Sequence, residues 1–263
     1  MTTTSAAANS GNTWNEAADG RVELQAGVVA RASVAAMSIA SMYSLYSRHY
    51  LDTTPAIFQR DLAAKTHVLL LRDERDRLCG FSTLEVYASA AAGRNVRVIY
   101  SGDTIIDPKY WGSSAFALAW LRFAGEVQRQ DPCTPLHWLL IAKGHRTYRY
   151  LPAFARHYLP HHSRLATDAE RYLLNALAAE KFGAAYDPLT GIVRFAQPQG
   201  RLTADLAEVS DRHRRLPAVA YFLERNPGYG NGDELVCLCE LVPANLRSLA
   251  LRVFTPSAGS PLT

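Results

Sequence analysis

The chain has 263 residues, 48% of them hydrophobic and 20% charged, with a formal net charge of +4 at neutral pH. This is the composition of a soluble globular protein with enough chain for one large domain or two small ones. The charge is mild and its basic residues are dispersed, which argues against a nucleic-acid-binding protein.

The opening segment MTTTSAAANSGNTWNEAADG has no basic region followed by an apolar core, so it reads as a disordered tail over residues 1–20 and not as a secretion signal. Arg21–Gln25 reads as a short strand. In the stretch from Val28 to Tyr50, Arg31, several serines, Arg48 and His49 interrupt what would otherwise resemble a membrane span. Ile39, Met42, Tyr43, Tyr46 and Tyr50 recur there at helical spacing, which predicts an amphipathic helix. Asp52-Thr53-Thr54-Pro55 offers capping oxygens and a first-turn proline for a short helix to about Lys65. His67–Arg72 and Leu78–Tyr87 read as a hairpin around a polar turn. A small-residue loop then leads to a long strand at Asn95–Ile106, in which Gly102 marks a bulge or the close approach of a ligand.

Past the turn at Asp107-Pro108, a helix is predicted from Phe116, Ala119, Trp120, Phe123 and Val127. Leu136–Ala142 is apolar throughout and reads as a strand buried on both faces. Arg146–Tyr158 reads as a helix kinked or restarted by Pro152. The last third offers a helix at Asp168–Lys181, short strands at Gly191–Phe195 and Val219–Glu224, and a turn-rich loop at 226–232. A final strand at Glu234–Val242 and a closing helix at Pro243–Phe254 complete it. The expectation is one α+β domain over residues 21–254, with a helical elaboration near 163–185 and a flexible tail at 255–263. The cysteines, Cys79, Cys133, Cys237 and Cys239, lack the paired spacing of a zinc site. They suit buried, reduced thiols in a cytoplasmic protein. His161-His162 has no partner at metal-ligand spacing, so no metal is expected, and no integral membrane segment is expected either.

The order of elements, with the stretch Ile105-Ile106-Asp107-Pro108-Lys109-Tyr110-Trp111-Gly112-Ser113-Ser114-Ala115-Phe116 between a strand and a long helix, resembles the GCN5-related N-acetyltransferase superfamily. The resemblance implies a mixed, mostly antiparallel twisted sheet flanked by helices. It also implies a wedge between the fourth and fifth strands, with backbone amides of the loop on the phosphates of a coenzyme A thioester. Ile106, Trp111, Gly112, Ser113, Ser114 and Ala115 are then the donor-binding candidates. A helix N-terminus suits that role because its unpaired amides and partial positive charge stabilise an anion. The loop departs from the family pattern at Trp111, Ser114 and Phe116, which also suits a donor carried on an acyl carrier protein. The long-chain N-acyl amino acid synthases and acyl-homoserine-lactone synthases are the branch that the chain length and helical elaboration resemble.

Acyl transfer to an amine needs a proton acceptor, donors for the developing oxyanion and often an acid for the leaving thiolate. Asp103, on the strand feeding the loop, is the first candidate for the base; the other reading is that it bonds backbone beside Gly102. Glu85 on the neighbouring strand is the reserve. Phe154 stands where the family carries its acidic tyrosine, so Tyr148 or Tyr150 would have to substitute. Lys143, His145, Arg146 and Arg149 form a basic cluster that suits a phosphate, a carboxylate or an acidic carrier, or else is a solvated helix face. Two functions follow: an N-acyltransferase using an acyl-coenzyme A or carrier-protein thioester as cosubstrate, or a non-catalytic module that binds a ligand or protein in the same cleft.

Overall fold

The computed structural model describes residues 23–197 and 199–255. The tails expected at 1–20 and 255–263 lie outside the described residues apart from Thr255. The first half of the chain forms β1 (Gln25–Ala30), α1 (Ala36–Ser47), β2 (Tyr50–Leu51), α2 (Pro55–Ala63), β3 (His67–Arg72), β4 (Leu78–Ser89), β5 (Val96–Ile106), α3 (Ala115–Gln130) and β6 (Leu136–Ala142). The helices α4 (His145–Tyr148), α5 (Tyr150–Phe154) and α6 (Asp168–Phe182) follow. Next come the short strands β7 (Tyr186–Asp187), β8 (Ile192–Val193) and β9 (Arg201–Leu202), then α7 (Ala204–Ala207), α8 (Asp211–Arg214), α9 (Pro217–Arg225), β10 (Glu234–Glu240) and α10 (Ser248–Phe254).

The fold is α+β. The main sheet runs β1-β3-β4-β5-β6-β10-β8-β7, and its neighbours are antiparallel except for β5 and β6, which are parallel and joined by the crossover helix α3. On one face α3 and α10 bury Phe116, Trp120, Phe123 and Phe254 against Ile99, Trp138 and Leu140. The opposite face is shared. Met42, Tyr46 and Phe58 from α1 and α2 cover Phe81 and Ile105, while Leu173, Leu174 and Leu177 of α6 cover Val98, Leu139 and Val236. Among the described residues no helix is long and apolar enough to cross a membrane.

Six expectations change. The first strand among the described residues is Gln25–Ala30, sharing only Gln25 with the expected Arg21–Gln25. The helix expected in Val28–Tyr50 spans only Ala36–Ser47, and Tyr50 falls in β2. Of the four cysteines, Cys79, Cys237 and Cys239 are buried but Cys133 is exposed. Val219–Glu224 is helical, within α9. Pro217 opens the helix, and Val219 and Phe222 are buried three residues apart, so a short apolar run that fits a strand by composition is decided by its capping proline. The helix expected at Arg146–Tyr158 breaks into α4 and α5 and ends at Ala155, which turns extended and bridges to Leu246. The closing helix begins only at Ser248, after a single 3-10 turn at Pro243–Asn245. Elsewhere the caps act as the sequence indicates. Thr54 accepts from the Ile57 amide at the start of α2, and Thr167 with Glu170 forms a reciprocal capping box on α6.

Candidate functional site

The site begins with an interruption in β5. Its parallel pairing with β6 runs from Arg97↔Leu136 to Ser101↔Leu140 and stops there. β5 continues to Ile106 along β4, while β6 continues along β10 to Leu235↔Ala142. The two strands therefore diverge into a wedge. The divergence starts at a bulge, where the β4–β5 register slips between Ser82↔Thr104 and Leu84↔Ser101. One extra residue in β5 turns both Gly102 and Asp103 toward the α1–α2 face, where Tyr100 already points, whereas strict alternation would send Asp103 to the other face. Gly102 is required in that bulge, because a Cβ there would stand 2.7 Å from Thr83 Oγ1 and 2.9 Å from Lys65 Cε.

On the α1–α2 face the wedge opens into a cavity of about 310 Å³ whose wall includes Tyr46, Tyr50, Tyr100, Asp103, Lys143 and Glu234. The Tyr46 and Tyr50 rings stack at 4.3 Å, one helical turn apart in sequence. Lys143 and Glu234 face each other across the ends of β6 and β10 at 3.3 Å and are only 8% and 6% exposed. Lys65, following α2, lies 2.6 Å from Asp61. Asp103 is reached by the cavity but otherwise enclosed by protein. Burial pushes its carboxyl up to about 7; Asp61 adds to the rise, Lys143 and Lys65 oppose it, and Glu234 again adds. Burial also raises Glu234, against the pull of Lys143. Tyr46, whose hydroxyl donates to the Gln199 carbonyl at 3.4 Å, is raised by burial and then by the charge of the Asp103 carboxylate. A carboxyl poised near neutrality beside an open cavity can take up a proton at physiological pH.

On the α3 face the wedge is nearly filled. A cavity of about 20 Å³ remains there, walled by Phe116, Trp120, Trp138, Tyr150 and Phe154, and the Trp120 and Trp138 indoles both donate to Ser101 Oγ, at 3.3 and 2.9 Å. Thr104 and Thr147 line this small cavity and the large one alike, so the wedge is where the two faces communicate. The carbonyls of Thr104 and Ile106 point into it. The first accepts from the Tyr50 hydroxyl at 3.5 Å and the second from the Trp111 indole at 2.9 Å. Arg146 lies over the Trp111 ring, 4.1 Å from its centroid.

The remaining expected residues sort as follows. Asp107 accepts from the Lys109 amide and starts a 3-10 turn over Pro108–Tyr110. Gly112 adopts φ +95°, a left-handed conformation that favours glycine. Ser113 Oγ accepts from the Ala115 amide, and Ser114 is the N-cap of α3 without a side-chain cap bond. Of the loop's amides, that of Ser113 donates to the Tyr110 carbonyl at 3.3 Å and that of Ala115 to Ser113 Oγ at 3.2 Å. Glu85 is an ion-pair partner of Lys181 and does not line the large cavity. Tyr148 is fully buried with its hydroxyl on the Pro160 carbonyl at 2.8 Å and lines neither cavity. Tyr150 does line the smaller one, with its hydroxyl pushed up to about 12 by burial. The basic cluster divides. Lys143 faces the large cavity and Arg146 covers Trp111. Arg149 bonds His213 at 3.3 Å, and His145 is buried, its imidazole held down to about 3 by desolvation and then by Arg146. Sequence reasoning missed Tyr46, Tyr50, Asp61, Lys65, Thr104, Thr147 and Glu234 as site residues.

No family model matches the sequence, and no curated protein matches it. Among solved structures, the chain is similar to a probable N-acyltransferase of Enterococcus faecalis at 11% identity, covering 52% of this chain and 33% of that one, with a TM-score of 0.38. It is similar to the GNAT family N-acetyltransferase YhbS of Escherichia coli, solved in complex with CoA, at 13% identity over 59% of this chain and 82% of that one, TM-score 0.38. It is similar also to NAA60 of Arabidopsis thaliana, solved with a bisubstrate analogue, at 13% identity over 56% of this chain and 92% of that one, TM-score 0.38. The chain thus spans about a third of the length of the Enterococcus protein.

Proposed function

We propose that the protein is an N-acyltransferase that moves an acyl group from an acyl-coenzyme A or acyl-carrier-protein thioester to an amine. The observation that carries this reading is the wedge between β5 and β6, with a carboxyl poised near neutrality on the cavity at its mouth. The amine stands in the large cavity and the thioester carbonyl in the wedge beside Thr104 and Thr147. Asp103 takes the amine proton as nitrogen attacks the carbonyl carbon. The C–S bond then breaks, and the thiolate leaves with a proton from Tyr150 or solvent. Placement of the two reactants across one narrow opening supplies the proximity term. The donor phosphates fall to the amides of Gly112 and Ser114, those of Ser113 and Ala115 being bonded to the Tyr110 carbonyl and to Ser113 Oγ, and Trp111 must swing off the Ile106 carbonyl for pantetheine to bond there.

A second reading, a non-catalytic ligand-binding module of the same fold, is favoured by one observation: the α3 side of the wedge is filled by the chain's own aromatic rings. One assay separates the two. Purified protein is incubated with acyl-coenzyme A species of several chain lengths and a panel of amines, and both thermal stabilisation and free-thiol release are followed. Amine-dependent thiol release that Asp103→Asn reduces by about a hundredfold is the expected result. Stabilisation without thiol release supports the binding module, and full turnover by Asp103→Asn removes the base assignment.

A further inference from the structure

The segment after β6 brings basic side chains together without an acid. Arg146 on α4 and Arg149 at its C-terminal cap are three residues apart and share one side of the segment. Arg146 lies over the Trp111 ring and donates to the Leu206 carbonyl at 2.7 Å. Arg149 is 3.3 Å from the imidazole of His213 on α8, and that ring stands 5.3 Å from the ring of His145. His145 is 1% exposed, and its Nε2 has no hydrogen-bond partner among the described residues. The other three are half-buried. Among the described residues none of the four forms an ion pair with a carboxylate. Desolvation first, and then neighbouring basic groups, hold all four below their ordinary values, and no carboxylate acts on any of them. The exposed charges alongside are balanced: Arg212, Arg214 and Arg215 against Asp205, Glu208 and Asp211.

We propose that Arg146 and Arg149, with His213, receive the ribose 3′-phosphate of a coenzyme A donor, which makes coenzyme A and not a carrier protein the bearer of the acyl group. The inference rests on the acyl-transfer reading for the place of the donor diphosphate, at the amides of Gly112 and Ser114. Trp111 precedes Gly112 in that loop, so Arg146 stands beside it, and in coenzyme A the 3′-phosphate is only a ribose away from the diphosphate. Two half-buried like charges on one side of a helical segment destabilise the free protein. A phosphate monoester carries a charge of about −1.5 to −2 at neutral pH and neutralises both. The planar forks of the two guanidiniums also match its oxygens.

A single carboxylate would leave one of the two arginines unpaired. The broad acidic face of a carrier protein calls for a surface of one sign, and the balanced exposed charges at residues 205–215 do not supply one. A small, doubly charged anion fits this arrangement better. The swing of Trp111 off the Ile106 carbonyl also takes the indole off Arg146 and frees its fork for the phosphate. Hydrogen bonds to a charged group are worth about tenfold to a hundredfold in affinity, and a half-buried site stands at the lower end of that range.

Calorimetric titration of coenzyme A and of dephospho-coenzyme A, which lacks only the 3′-phosphate, into the intact protein tests this with no amine or acyl group present. Dephospho-coenzyme A is expected to bind about tenfold more weakly or worse. In Arg149→Gln, coenzyme A should weaken by about tenfold while dephospho-coenzyme A changes by less than about threefold, so that the preference collapses. If that variant does not fold, Arg146→Gln is held to the same collapse of the ratio, and if neither folds the wild-type ratio decides. Equal binding of the two nucleotides by the wild type, a preference kept by a folded variant, or no binding of either nucleotide overturns the inference. Transfer from an acyl carrier protein without coenzyme A binding overturns it too, but keeps the transferase reading. The expected preference without thiol release in the transfer assay removes the transferase reading and leaves this inference standing.

Discussion

Lys143→Met tests the charge balance of the cavity directly. Methionine keeps most of the lysine stem, so packing is nearly conserved, but it removes the ammonium 3.3 Å from Glu234 and its bond to Gln199. It also removes the first of the two lysines that hold Asp103 down. Breaking a buried pair by deleting one partner costs about 3–5 kcal/mol, because the other charge stays behind uncompensated. In a chain of this length that corresponds to a fall in melting temperature of about 6–10 °C, at about 2 °C per kcal/mol. The loss has to depend on pH. Glu234 and Asp103 already have raised folded-state values, and without Lys143 both rise further. A carboxyl with a raised folded value contributes stability at low pH and loses it as pH climbs through that value. Acidification therefore repairs the variant, by at most about 1.4 kcal/mol per pH unit and per carboxyl. Urea unfolding near pH 8 and near pH 6 should show the deficit falling by about half. The double variant Lys143→Met/Glu234→Gln should recover to within about 1–2 kcal/mol of the wild type near pH 8. A deficit equal at both pH values, or a double variant no better than the single one, would refute the buried charge balance described here.

Gly102→Ala places a Cβ against Thr83 and Lys65; it should cost about 1–3 kcal/mol in urea unfolding and misdirect Asp103. Because Thr83 Oγ1 has no hydrogen-bond partner among the described residues, adding Thr83→Ala should restore part of that stability, and no recovery would place the strain in the backbone instead. The rate of amine-dependent thiol release should rise with pH through about 7 and level off above it, following ionisation of Asp103; a flat profile between about pH 5 and 8 would exclude that carboxylate as the base. Trp111→Ala frees the Ile106 carbonyl and should tighten donor binding several-fold in thermal-shift titrations with acyl-coenzyme A, whereas weaker binding would make the indole a donor contact and not a cover.

Much of the scaffold was legible because its signals are local and repeated. β3, α3 and β6 each carry an unbroken pattern, and in β5 the pattern is interrupted only at Gly102, a residue unsuited to a strand interior. α9 was misread because nine residues give too few turns for a period to emerge, and its Pro217 signal lies just outside the apolar run. The site was less legible than the fold. Lys143 and Glu234 sit at the ends of the apolar strands β6 and β10, where a charge reads as a solvated terminus, and only the register of those strands brings them face to face. Tyr46 lies on α1 as its spacing indicates, whereas Tyr50 at the end of the same spacing falls in β2, and spacing cannot tell a ring that packs from a ring that also walls a cavity. Tyr148 was the reverse case, a plausible acid by position that the α4–α5 break carries into the core.

The two indoles that share the Ser101 hydroxyl have a practical use. The rings of Trp120 and Trp138 lie 4.2 Å apart and are buried, and Trp111 covers the rim of the same opening at 42% exposure. Any molecule threading between β5 and β6 must displace at least one of these chromophores or change its surroundings. The protein therefore carries a built-in optical gauge of wedge occupancy: near-ultraviolet circular dichroism follows the coupled buried pair, and, once Trp14 is replaced by phenylalanine, emission near the red edge follows Trp111. A stopped-flow trace read at both would time the arrival of a donor without any label.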